Sequence, residues 1–74
     1  MKLSRIEQIN IRKELIIAKA HRQLRACQGS LFRRYAADLQ AATVDERRAF
    51  AHLVGHTSLV ELNKELSVYR YNNS

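Results

Sequence analysis

Residues 4–27 read SRIEQINIRKELIIAKAHRQLRAC, and the pattern of this stretch decides the fold class. Neither proline nor glycine interrupts it. Ser4 stands three residues before Glu7, the spacing of a capping box, in which a hydroxyl and a carboxylate satisfy the free amides of a helix start. The stretch therefore predicts one long helix over 4–27, about 36 Å at 1.5 Å per residue. Projected at about 100° per residue, Leu3, Ile6, Ile9, Ile16, Ile17, Ala20, Leu24 and Cys27 fall on one arc, with Lys13 the discordant member. A second, narrower arc carries Ile11, Leu15, Ala18 and Ala26. The wider arc is the expected core side. The following helices are too short to cover both sides of such a rod, so Ile11, Leu15, Ala18 and Ala26 are expected to pack against another copy or a partner.

Outward from this stretch, the chain has no proline and only two glycines, Gly29 and Gly55. Each follows a run of helix formers, where glycine commonly ends a helix in the left-handed conformation. Thr43…Glu46 and Ser58…Glu61 are further capping boxes, and Ser30 is a weaker start. These signals predict helices over 31–42, 44–54 and 58–71, with 71–74 as a frayed tail. Their apolar stripes are Leu31, Phe32, Tyr35, Leu39 and Ala42, then Ala49, Phe50, Leu53 and Val54, then Leu59, Leu62, Leu66 and Tyr69. No segment alternates with turn dipeptides as strands do. The expectation is an all-α fold over 1–74, a small helical bundle in which one long N-terminal helix is followed by three short ones, forming a homo-oligomer.

Seventy-four residues make a thin core, since a chain of this size buries only about 60% of its unfolded surface. A lone cysteine, Cys27, allows no intrachain disulfide and suits a reducing compartment. The first residues lack the apolar run of a signal, and the longest aliphatic run, residues 15–18, is far too short for a bilayer. A cytoplasmic protein with no membrane partner is expected.

Charge is unevenly placed. The net +6 arises entirely in residues 2–34, where nine Lys/Arg face Glu7 and Glu14; from Tyr35 onward five acids outnumber four Lys/Arg. Arg5, Arg12 and Lys19 are spaced by seven, nearly two helical turns, so they align. Arg22 and Arg25 continue that side of a 4–27 helix, giving a cationic ridge about 30 Å long. Arg33 and Arg34 add positive charge where it opposes the helix dipole. Such a ridge can follow a phosphate backbone, which makes nucleic acid, DNA or RNA, the first expected partner. An acidic host protein is the alternative, bound as a regulator, inhibitor, antirepressor or adaptor through an apolar helix face rimmed by arginine.

Other motifs carry less. Residues 44–71 read as helix, glycine turn and helix, but Glu61 and Lys64 stand where a DNA-binding helix-turn-helix buries apolar residues, so an ordinary hairpin is favoured. His52 and His56 have a ligand spacing without a third ligand nearby, so no metal is expected. Cys27, on an apolar arc, is a small hydrophobe rather than a nucleophile. No glycine-rich phosphate loop exists, and the chain is read as a non-enzyme that needs no cofactor and has no small-molecule substrate. Tyr69-Arg70-Tyr71 could stack bases, although Tyr69 suits the edge of a core better. Residues 53–59, LVGHTSL, resemble the segment ahead of the catalytic tyrosine in tyrosine recombinases. That resemblance implies a tyrosine about nine residues beyond His56, where Glu65 stands, so the activity is not carried over. In size and in its many capped helices the chain resembles accessory proteins of phages, prophages and plasmids.

Overall fold

A computed structural model describes residues 2–55 and 59–72. They form four helices and no strand: α1 (Arg5–Ala20), α2 (Leu24–Gln40), α3 (Val44–Val54) and α4 (Leu59–Asn72). The all-helical expectation holds, and so do both capping boxes that fall on described residues. The Ser4 hydroxyl accepts from the Glu7 amide at 3.1 Å while the Glu7 carboxylate accepts from the Ser4 amide at 3.3 Å. Thr43 and Glu46 repeat the exchange at 3.2 and 2.9 Å. The Ser58…Glu61 box lies outside the described residues, as do positions 73 and 74 of the expected tail; Tyr71 and Asn72 are helical.

The long first helix is not formed. The chain breaks after Ala20, and the second helix begins at Leu24, seven residues earlier than expected. The break is a Schellman turn. Arg22 takes a left-handed conformation, φ 58°, its amide donates to the Lys19 carbonyl at 3.1 Å, and the Gln23 amide donates to the Ala18 carbonyl at 2.7 Å. Glycine usually fills this position; arginine fills it here, which removes the sequence signal for the stop. Gln23 is then the N-cap of α2 with no side-chain cap. Gly29, expected to end a helix, lies inside α2. Gly55 does end one: at φ 85° its amide reaches the Ala51 and His52 carbonyls.

Three residues between α1 and α2, His21, Arg22 and Gln23, fold the chain back on itself. α1 packs on α2 and α3, and α4 packs on the same pair; among the described residues α1 and α4 do not meet. The core between them contains Ile11, Leu31, Phe32, Leu39, Phe50, Val54, Leu62 and Leu66. Edge-on ring contacts tie Phe32 to Tyr69 at 6.5 Å and Tyr35 to Phe50 at 5.6 Å, an arrangement that the aromatic quadrupole favours. Tyr69 thus closes the core edge.

The turn also decides which face of α1 is inside, and it is the opposite of the expected one. Ile11 and Ala18 are buried and Leu15 packs beside them, whereas Ile6, Ile9, Ile16 and Ile17 are exposed. Lys13 explains the outcome. It sits in the middle of the wider arc, and burying an unpaired ammonium costs far more than the isoleucines around it return. The narrower arc has Glu7 and Glu14 at its edge instead, and both reach polar groups on α2: Glu14 pairs with Arg34, and the Tyr35 hydroxyl lies 3.5 Å from Glu7.

A cation outside the expected ridge ties the helix ends together. The Arg47 guanidinium donates to the Leu39 carbonyl at 2.8 Å, the Gln40 carbonyl at 3.0 Å and the Asn63 side-chain oxygen at 3.2 Å. It satisfies the open carbonyls at the end of α2 and links α3 to α4. Gln28 does the same for α3, donating to the Val54 carbonyl at 2.8 Å.

Candidate binding face on the first helix

The face of α1 turned away from the core carries Ile6, Ile9, Ile16 and Ile17, exposed by 72, 40, 68 and 60%. Isolated exposed aliphatics are ordinary, but four along one helical stripe form a patch of the kind that marks a contact surface. Lys13 lies within the stripe and Arg5, Arg12 and Lys19 run along one edge; all four are exposed. The other edge is Asn10, followed by the acids that turn toward α2. Ser4 and Glu7 fix the start of this face and the turn at Arg22 fixes its end, so the whole stripe rests on a capped helix.

The five cations expected to form one ridge, and Arg33 and Arg34 expected to add charge beside it, are dispersed. Arg5, Arg12 and Lys19 keep their alignment on α1, about 21 Å from first to last by the helical rise. Arg22 occupies the turn, which interrupts the row. Arg25 belongs to α2 and borders a shallow depression with Gln28, Gly29 and Glu61, Lys64 and Glu65 of α4. Arg33 is exposed on α2. Arg34 donates twice to the Glu14 carboxylate, at 3.1 and 3.2 Å, and those hydrogen bonds and that charge raise the guanidinium above the usual arginine range. The pair is about half exposed, so it ties α2 to α1 for little energy while occupying one of the two cations expected to supplement the ridge. A continuous 30 Å ridge is therefore replaced by a three-cation row.

The expected interface also resolves differently. Ile11, Leu15 and Ala18 lie in or against this chain's own core and are not available to a second copy; Ala26 alone of that set is exposed. Cys27 is half-buried against the core, beside a small cavity bordered by His21 and Ala26. Burial holds the Tyr35 phenol above its ordinary range, helped by the Glu7 charge.

Next to the stripe, a cleft of about 500 Å³ separates the start of α1 from α3. Leu3, Ala49, Phe50 and Leu53 line it, with Lys2 and Arg12 on one rim and Asp45 and Glu46 on the other. Charges of both signs meet there. Among the described residues no three His, Cys, Asp or Glu side chains gather as metal ligands, and no helix is long and apolar enough to cross a membrane. His56, one of the pair with ligand spacing, lies outside the described residues.

No protein-family model, curated protein or solved structure matches this chain.

The outward isoleucine stripe is not evident in the sequence because the same residues make an acceptable core arc. Lys13 was the signal that could have identified it: a cation at the centre of an apolar arc marks the side that faces water or a partner.

Proposed function

We propose that this protein is a protein-binding regulator or adaptor whose working surface is the outer face of α1. The observation that supports this reading is the exposed stripe of Ile6, Ile9, Ile16 and Ile17 beside Arg5, Arg12 and Lys19. Burying the exposed part of each isoleucine would contribute roughly 1 kcal/mol or more. The cations would steer approach and fix orientation rather than supply the bulk of the affinity. Helix-in-groove recognition uses anchors three, four and seven residues apart, and Ile6, Ile9 and Ile16 provide the steps of three and seven. The helix is already held by α2 and α3, so no ordering cost falls on this side of the complex.

A nucleic-acid partner is the second reading, favoured by the aligned exposed row Arg5, Arg12 and Lys19. A phosphate-binding row has no use for four exposed isoleucines, and the dispersal of Arg22 and Arg25 shortens it. The two readings separate in one experiment. Pull-downs from host lysate, with and without nuclease, compare the wild type with Ile9→Asp/Ile16→Asp and with Arg12→Glu/Lys19→Glu, alongside gel shifts at two salt concentrations. Protein binding predicts nuclease-resistant capture that the isoleucine variant loses, with no salt-dependent shift. Nuclease-sensitive capture, and a shift abolished only by the charge variant, would establish the nucleic-acid reading instead.

A further inference from the structure

The exposed stripe of α1 has a regular repeat. Ile6, Ile9, Lys13, Ile16 and Ala20 follow one another at intervals of three, four, three and four residues, which is the a–d alternation of a coiled-coil seam. In that register Ile6, Lys13 and Ala20 occupy a, Ile9 and Ile16 occupy d, and Arg5, Arg12 and Lys19 all occupy g. Every one of these side chains lies on the solvent side of α1. The core face is on the far side of the helix, and α4 does not approach α1 among the described residues. The seam is thus built on a preformed helix and is open along its length.

The charges along the seam determine what can cover it. A parallel second copy would set Lys13 against Lys13 at the centre of the contact. An antiparallel second copy would set the row Arg5, Arg12 and Lys19 against its own counterpart. Like charges meet in both orientations, so a second copy is a poor occupant. Flanking g positions select partners by opposite charge, and a single lysine at a specifies register.

We infer that the outer face of α1 pairs with an acidic amphipathic helix of another protein, one with aliphatic residues in its seam and carboxylates along the edge that meets Arg5, Arg12 and Lys19. Lys13 excludes the second copy and accepts a carboxylate from the partner. This inference rests on the protein-binding reading above and adds the partner's secondary structure and charge.

The test uses two fluorescently labelled three-heptad peptides with leucine at a and d, one with glutamate at every e and g and one with lysine there. Anisotropy at physiological salt is followed with four forms of the full chain: wild type, Ile9→Asp/Ile16→Asp, Arg5→Glu/Arg12→Glu and Lys13→Ile. All replaced side chains are exposed, and circular dichroism checks that each variant keeps its helices. The acidic peptide should bind wild type at least about tenfold more tightly than the basic one, a ratio readily resolved by titration. Arg5→Glu/Arg12→Glu should invert that preference, and Ile9→Asp/Ile16→Asp should lose both peptides. Lys13→Ile should self-associate in sedimentation where wild type does not do so through this face. Equal binding of both peptides that still depends on the isoleucines would refute the acidic-helix inference and leave the protein-binding reading standing. Acidic-peptide binding indifferent to the isoleucines would be plain charge attraction and would refute the seam. Binding of neither peptide would refute the inference, while the nuclease experiment would decide the broader reading by itself.

Discussion

Arg22 is the residue on which the chain's path turns. It holds a left-handed conformation that costs an L side chain on the order of 1 kcal/mol, in a turn where glycine is the usual occupant. Replacing Arg22 with Gly should therefore raise stability by up to about 1 kcal/mol, or roughly 4–8 °C in melting temperature for a domain of this size. A thermal melt that falls instead would show that the arginine makes a compensating contact. The two glycines should respond to alanine in opposite ways. At Gly29, inside α2, an added methyl would meet only the Arg33 side chain, at 3.6 Å, so Gly29→Ala should stabilise by about 0.5–1 kcal/mol through helix propensity. At Gly55, φ is 85° and the methyl would come within 3.2 Å of the Gln28 amide nitrogen that caps α3. Gly55→Ala should cost about 1 kcal/mol or more, read from paired chemical denaturations.

At the scale of the helix, α1 shows what a periodic pattern can and cannot specify. Its start was legible because Ser4 and Glu7 carry local chemistry, and the same is true of Thr43 and Glu46 in α3. Its end was not legible, because an arginine does the work that sequence reading assigns to glycine. Without a glycine to mark the turn, the pattern carries α1 on to Cys27, lengthens the charged row with it, and leaves only width to distinguish the two arcs. Lys13, the single discordant residue of the wider arc, is what distinguishes the outer face from the inner one. The three aligned cations of α1 were legible from their spacing alone. Arg34 was not, because its partner Glu14 lies twenty positions away and is brought near by the turn. Arg47 likewise caps the end of a different helix. The inverted faces give a direct check. Ile11→Ala should cost about 2–5 kcal/mol, as a cavity in the core does, whereas Ile6→Ala should change stability by no more than about 0.5 kcal/mol. Equal losses in urea denaturation would contradict the assignment of the faces.

For the molecule as a whole, the layering matters more than any single contact. α2 and α3 form the shared middle, and α1 and α4 are bound to that pair from separate positions without touching each other among the described residues. α1 contributes only Ile11 and Ala18 as buried side chains, against four from α2 and three from α3. Its share of the buried core is correspondingly small. Regions with few buried apolar contacts open at lower free energy than the body of the protein. Backbone amides of α1 should therefore exchange with deuterium faster than those of α2 and α3, measurable by mass spectrometry after peptic digestion. Uniform exchange across α1, α2 and α3 would show a single cooperative unit instead. The consequence reaches the bound state. A ligand that recognises only the docked form of α1 suppresses its excursions by mass action, so occupancy would be recorded as slowed exchange localised to that one helix. The first helix would then report its own occupancy, with no change in fold required.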